Sequence, residues 1–313
     1  MRLIVDTSSL LWRAILVGKD EEFGKSVEHE GKQTYVNGWQ YGLDNAINSL
    51  VFTLKELDLV PSDTIFVTEG KDSLARRKSF LPTYKSGRTS RCPEQYEVFN
   101  TCKEQLLQTF RDLGSQVAWC DGCEADDVIA YLAKNLQGDI AILTEDGDLS
   151  ALINERVSLW RKSERLTECP YGPFDPKFVT LYKAMVGDTS DAIPGAKGFG
   201  PKAWLDLLVN YNASGLAAIE GMIQRKTLHE LEEDVADFKP FRKVVDGADL
   251  VYASYNVAKL RPEWVNTLRQ PLQWQAGMVK PCTDSRLRSW GQQVRLVTAG
   301  TYPQALEFFK QQV

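Results

Sequence analysis

Five short clusters hold nine carboxylates: Asp6; Glu69; Glu124, Asp126 and Asp127; Asp146 and Asp148; Asp188 and Asp191. Gathered into one pocket, so many acids would repel one another unless they shared divalent cations. Mg²⁺ suits such a set, because it takes oxygen ligands octahedrally and keeps several waters, so a few acids bind it directly and others hold its water. Glu124 and Asp127 are three apart and share a face in the first turn of a predicted helix, where the macrodipole favours negative charge. Asp146 and Asp148 point to one side if their segment is extended. Asp188 and Asp191 are again three apart. Any one cluster is most simply a turn or helix-start acid. Five of them at predicted strand ends and helix starts imply a common purpose.

Two further features lie beside the acids. Gly195-Ala-Lys-Gly-Phe-Gly200 runs into Pro201, a helix-start signal, and Lys202. Consecutive N–H groups in a glycine turn backed by a helix N-terminus form an anion nest suited to phosphate. A tight interhelical turn is the plain alternative for this hairpin. The segment Lys71–Arg91 carries seven basic residues, Lys71, Arg76, Arg77, Lys78, Lys85, Arg88 and Arg91, against Asp72, a net +6 in a chain of net −5. Phe80 and Tyr84 are interleaved, a pattern that suits strand backbone with base stacking. A charge run is usually a solvated loop, but this one follows Glu69 directly and would hang over the acidic pocket.

The elements that must position these groups are legible in outline. Leu3–Val5, Thr64–Thr68, Gln116–Trp119 and Asp139–Thr144 read as strands. They alternate with helical periodicity from Leu43 to Leu57, Glu94 to Leu113 and Glu124 to Asn135. Such alternation predicts an α/β fold with a mostly parallel sheet covered on both faces. Ligands of these sheets lie beyond the carboxyl ends of the strands, so Asp6, Glu69 and Asp146 should collect on that edge. Pro176–Val186 reads as a helix, the hairpin and a helix from Pro201 follow, and helical segments continue to about Leu250. Gly18–Gly38 reads as a polar surface insertion, and Val251–Val313 is expected to pack back on the first half.

Composition bounds the rest. The 313 residues are 43% hydrophobic, enough for a sizeable core. The acidic balance argues weakly against nucleic acid, unless bound cations cancel it. Asp6 and Arg13 interrupt the N-terminal apolar stretch, which excludes a good signal peptide. No run of 18 apolar residues spans a membrane, and a cytoplasmic location is expected. Cys120-x-x-Cys123 lacks a second ligand pair for zinc, with only His29 and His229 in the chain; two reduced thiols are the simpler reading.

The order Asp6, Lys85, Glu124-Ala-Asp-Asp127, Asp146-x-Asp148, Asp188-x-x-Asp191, Gly195-x-x-Gly-x-Gly-x-Lys202 resembles the 5′-nuclease superfamily, and most closely its bacterial and bacteriophage 5′→3′ exonuclease/flap endonuclease branch. The resemblance covers about residues 1–210. It implies a PIN-like α/β core over 1–170, with a helical arch or clamp at about 71–111. A helix-three-turn-helix module over 171–250 and a C-terminal segment, 251–313, would follow.

By the same resemblance, Asp6, Glu69, Glu124 and Asp126 would serve a first Mg²⁺ and Asp146, Asp148, Asp188 and Asp191 a second, with Mn²⁺ able to substitute and Asp127 in support. Lys85 and Arg88 match the basic pair at the arch base. Trp12 and Arg13 fall near the scissile nucleotide, and Arg76, Arg77, Lys78 and Tyr84 would meet DNA in the arch. Gly195, Lys197, Gly198, Gly200 and Lys202 match a duplex-backbone contact where some members hold K⁺. The implied activity is two-metal hydrolysis of DNA at 5′ ends, flaps, nicks or gaps in replication or repair, by a monomer, with any polymerase on a separate chain. Glu69 departs from the family's usual Asp, and Gly18–Gly38 has no counterpart in the family pattern.

Three rival readings differ in the residues they need. An aspartyl-nucleophile phosphatase wants a second acid two residues after Asp6, where Ser8 stands. A non-catalytic DNA-binding scaffold should have lost ligands, and all nine acids are present. An RNA- or hybrid-directed PIN-type nuclease is disfavoured by the glycine hairpin.

Overall fold

The computed structural model describes residues 1–278 apart from 89, 162–163, 167, 232–238 and 268–270. The first half runs β1 (Arg2–Asp6), α1 (Thr7–Leu16), β2 (Lys25–His29), β3 (Lys32–Val36), α2 (Trp39–Glu56), β4 (Thr64–Val67), α3 (Ala75–Phe80), α4 (Pro93–Asp112), β5 (Gln116–Trp119), α5 (Ala125–Asn135), β6 (Ile140–Leu143), β7 (Val157–Arg161) and β8 (Glu164–Leu166). Helices α6 (Val179–Val186), α7 (Pro201–Asn210), α8 (Ala213–Arg225), α9 (Lys239–Asp246) and α10 (Ala248–Ala258) follow, then β9 (Gln273–Gln275).

Among the described residues the main sheet has the order β8-β7-β6-β1-β4-β5-β9. The central joins, from β7 through β6, β1 and β4 to β5, are parallel. The two edges are antiparallel, β8 against β7 and β9 against β5. Strands of a doubly covered parallel sheet are apolar on both faces, and β1, β4 and β6 are fully apolar through their centres. Leu3 and Val5 pack with α1, α2 and α4, whereas Ile4 faces the α5 side with Ile65, Val67 and Ile142. The two-residue alternation of a strand divides them.

The segment 18–38 forms a hairpin, β2 with β3, whose turn has Glu30 and Gly31 at positive φ, as a two-residue type I′ connection requires. Pro176–Val186 opens as a 3₁₀ turn over Pro176–Phe178 and becomes α-helical only at Val179. The helices α6 to α10 bury Phe178, Trp204, Leu207, Phe241 and Tyr252 in a core of their own. The start of the C-terminal segment belongs to this helical layer as part of α10, and β9 then returns to the sheet edge. The rest of that segment, 279–313, lies outside the described residues.

Candidate active site

Asp6 ends β1 and caps α1, its Oδ1 accepting the Ser9 N–H at 3.1 Å. Glu69 lies two residues beyond β4 and accepts the Ala125 N–H at 3.0 Å. Asp146 lies three residues beyond β6. Parallel pairing of these strands brings all three to one carboxyl edge, as expected. Asp126, in the first turn of α5, joins them. These four acids share a cavity of about 470 Å³ with Trp12, Arg13, Lys85 and Arg88.

Burial and mutual repulsion raise the proton affinity of Asp6, Asp126 and Glu69. Burial, then the neighbouring Asp146 charge, pushes Asp6 up to about 6 despite hydrogen bonds from Ser9 and Thr144. Asp126 is raised by burial, by Asp146 and by Asp6. Glu69 lines the cavity with its surface open to solvent. The protein packed around its carboxylate and the Glu124 charge push it up to about 7, a rise that the admitted solvent moderates. Asp6, Glu69, Asp126 and Asp146 form no ion pair within 4.0 Å among the described residues. An all-oxygen donor set with excess negative charge fits a hard divalent cation such as Mg²⁺ or Mn²⁺.

The other five acids are already neutralised by protein cations. Glu124 caps α5 instead of lying within its first turn, and meets Lys85 Nζ, Arg77 Nη1 at 2.7 Å and the Tyr84 hydroxyl at 3.2 Å. Asp127 is fully buried, accepts both Arg77 Nη groups at 2.7 and 2.8 Å, and takes the Arg261 N–H at 2.7 Å. It does not line the cavity, so its support of the site runs through Arg77. Asp191 holds Arg88 at 2.7 Å. Asp148 and Asp188 share Lys183, whose Nζ donates to both. As placed, no group of three His, Cys, Asp or Glu side chains among the described residues forms a ready-made metal site. Lysine and arginine heads hold part of the acid set apart.

Asp146 and Asp148 do not lie along an extended segment. The Asp148 N–H donates to Asp146 Oδ1 at 2.9 Å and a 3₁₀ turn begins at Asp148, an Asx-type turn that the Asp-Gly-Asp sequence favours. Asp188 and Asp191 stand in a tight turn closed by paired backbone bonds between Asp188 and Ile193, not on a helix.

Sequence reasoning did not find Lys183 or Tyr171. The Tyr171 hydroxyl donates to Asp148 at 3.1 Å. Burial works against the Lys183 charge, but Asp148 more than offsets it, so its ammonium is held above the usual lysine range. Asp148 itself is pushed up to about 6 by burial and by Asp146, against the pull of Lys183. The only signal in the sequence was a lysine inside the largely apolar run Val179–Val186. Two more groups without a local signal in the sequence, Glu145 and Arg161, pair beside Arg13.

The expected nucleic-acid contacts separate into exposed and buried groups. Arg77 and Tyr84 are 2% and 4% exposed. Arg77 Nε also donates to the Val257 carbonyl at 2.9 Å. Their polar groups are consumed inside the protein, so they brace the basic segment instead of facing a strand. Leu81 and Tyr84 pack with Ile193 and Val257, and the Lys85 N–H donates to the Asp191 carbonyl at 2.8 Å. The segment is thereby tied to both the Asp188–Asp191 turn and α10.

Lys78 remains exposed, and Arg76 lies over Trp264. Trp12 stacks on Phe99 at 4.5 Å, with the Arg91 guanidinium 5.3 Å above its ring. In the hairpin, buried Ala196 and Phe199 anchor exposed Lys197, Gly198 and Lys202. Gly200 caps α7. Gly195, at φ +62°, passes so close to the end of α6 that a Cβ would meet the Gly187 nitrogen at 2.5 Å.

The family described as "5′-3′ exonuclease, N-terminal resolvase-like domain" matches residues 1–178. A "5′-3′ exonuclease" of Mycoplasma pneumoniae is 35% identical over 149 residues, 43% of this chain and 50% of that protein. A "Flap endonuclease Xni" of Shewanella pealeana is 28% identical over 213 residues, 65% of this chain and 76% of that protein. The N-terminal similarity extends to a DNA polymerase I of Deinococcus radiodurans, 36% identical over 197 residues but spanning only 20% of that enzyme. A solved structure described as "Divalent metal ions (zinc) bound to T5 5′-exonuclease" has the same fold, with TM-score 0.58 at 16% identity over 99% of this chain and 98% of that one.

Proposed function

Because the chain belongs to the 5′-3′ exonuclease family, we propose that it is a Mg²⁺-dependent, structure-specific 5′→3′ exonuclease and 5′-flap endonuclease that hydrolyses DNA phosphodiester bonds. The observation that carries this reading is the cavity itself. Four acids without ion-pair partners line it at the sheet edge, and Lys85 and Arg88 line the same space. Carboxylate and ammonium together suit a substrate that is a polyanion met through cations.

Asp6, Glu69, Asp126 and Asp146 would hold the ions, with Asp148, Asp188 and Asp191 available as their own cations are drawn away. Bound ions supply Lewis-acid polarisation of the phosphodiester and activation of water. Lys85 would leave Glu124 for the scissile phosphate and stabilise charge that develops there. Its ammonium stays protonated for this work. Burial opposes the charge, but Glu124 and Asp126 hold it above the usual lysine range. Arg88, at the mouth, would steer the strand. Trp12, backed by Phe99, would offer a stacking face to unpaired bases once Arg91 moves off its ring, and the hairpin would grip duplex backbone without reading sequence, with K⁺ as a candidate companion ion there. The names of relatives, a flap endonuclease and a DNA polymerase I, support a role in replication or repair; the proposal adds a monomer acting in the cytoplasm beside a separate polymerase.

The test is cleavage of labelled 5′-flap, nicked and blunt duplexes with Mg²⁺ or with EDTA. Mg²⁺-dependent product on at least one is expected, and none on any would sink the reading. An RNA–DNA hybrid arm distinguishes the hybrid-directed alternative, and binding without cutting would favour the non-catalytic one.

A further inference from the structure

The acid–base contacts around the cavity differ in how firmly they are held. Arg77 with Asp127, and Lys183 with Asp148, are closed: the cation side chains are 3% and 4% exposed. Two contacts are open: Arg88 with Asp191, whose cation side chain is 53% exposed, and a second in which one carboxylate is shared by two arginines. Glu145, directly before Asp146, lies between two guanidiniums, Arg13 on one carboxylate oxygen and Arg161 Nε at 3.5 Å on the other. The arginine side chains are 37% and 36% exposed and that of Glu145 is 23% exposed.

The backbone holds this trio in place. The Glu145 N–H donates to Ser9 Oγ at 2.7 Å, which ties it to α1, the helix that carries Arg13. The Thr144 N–H donates to the Trp160 carbonyl at 3.1 Å, which sets Arg161 beside it at the end of β7. Arg13 and Glu145 line the cavity that holds the four unpaired acids.

We propose that Arg13 and Arg161 form a clasp for a phosphate group of the 5′ strand, and that Glu145 occupies the clasp until that phosphate replaces it. The inference rests on the nuclease reading above. A carboxylate between two guanidiniums is already an anion site. A phosphate offers more oxygens and more charge, and guanidinium matches its geometry in bidentate fashion. The exchange is cheap because a partly exposed ion pair contributes little to stability. The buried Arg77–Asp127 pair has no such freedom, since opening it would leave Asp127 charged and unpaired. The trio carries a net +1, so the empty clasp attracts an anion without trapping one. The phosphate has two sources with the same chemistry, a 5′-terminal monoester or an internal diester of the strand.

The test is binding of fluorescent 5′-flap and recessed-end duplexes by anisotropy, in Ca²⁺, across a salt series. Glu145→Gln keeps the shape and removes the competitor. It should tighten binding by about threefold to tenfold and steepen the dependence of log K on log salt by about one phosphate equivalent. Arg161→Gln should weaken binding and flatten that slope, and Arg161→Lys should restore the slope in part. If the phosphate is the terminal monoester, removing the 5′-phosphate abolishes the response to Glu145→Gln; if it is an internal diester, the response persists. Unchanged affinity and salt slope in both Glu145→Gln and Arg161→Gln, in a protein that still cuts DNA, overturns the clasp alone. A wild-type protein that neither binds nor cuts DNA overturns the nuclease reading and the clasp with it.

Discussion

At the scale of single residues, the site depends on which acids have a resident cation. Lys183 has two carboxylates and little solvent. Removing one partner of a buried pair leaves an uncompensated charge, a loss of about 3–5 kcal/mol when burial is complete. Asp148 and Asp188 keep 16% of their side-chain surface, which places Lys183→Met at the low end of that range or below it. The metal-free variant should therefore melt several degrees lower than wild type, and millimolar Mg²⁺ should return more of that loss than it adds to wild type, because the freed acids become oxygen donors. Equal Mg²⁺ shifts in both proteins would contradict this. Arg77→Met is the contrast. It strands Asp127 in the interior, away from the cavity, while Glu124 keeps Lys85, so thermal melting should show a large loss that Mg²⁺ does not repair.

At the scale of elements, the joints matter more than the helices they join. The glycine hairpin turns sharply because Gly195 sits at φ +62° against the end of α6. Gly195→Ala adds a Cβ where backbone already lies and forces a side chain into a left-handed conformation. A loss of about 1–3 kcal/mol is expected, together with weaker duplex binding at unchanged affinity for single strands. Calorimetry and anisotropy on the two substrates check it, and equal weakening for both would count against a duplex-gripping hairpin. This element was readable from sequence, as were the strand ends carrying Asp6, Glu69 and Asp146, because glycine spacing and apolar runs are local signals. The partners of the acids were not. Arg77 reaches the Val257 carbonyl 180 positions away and Lys183 meets Asp148 35 positions away. No local pattern encodes such a pairing. The basic stretch therefore read as one surface, whereas folding divides it into exposed Lys78 and Arg88 and buried Arg77 and Tyr84.

At the scale of the whole molecule, the crowded acids make proton and cation uptake compete. Asp6 and Asp148 are raised to about 6 and Glu69 to about 7, above the ordinary carboxylate range near 4. A carboxyl whose pKa is higher folded than unfolded binds more protons in the native state between the two values. Stability from these groups therefore falls as pH rises from about 4 to about 7 and is level beyond it. Burial of the charges is the larger cause and repulsion among the ionised acids adds to it, and a divalent cation offsets both only where the acids are ionised. The gain in melting temperature from Mg²⁺ over EDTA should thus be larger at pH 8 than at pH 5.5, with the change centred between about 6 and 7. In the absence of metal, the protein should lose stability over the same interval as pH rises, once the contribution of groups outside the cavity is removed by comparison with an Asp6→Asn, Asp126→Asn variant. That variant should show a shallower pH slope and a smaller Mg²⁺ shift together. A normal Mg²⁺ shift with a flattened slope would mean that ion binding and acid crowding reside in different parts of the cavity.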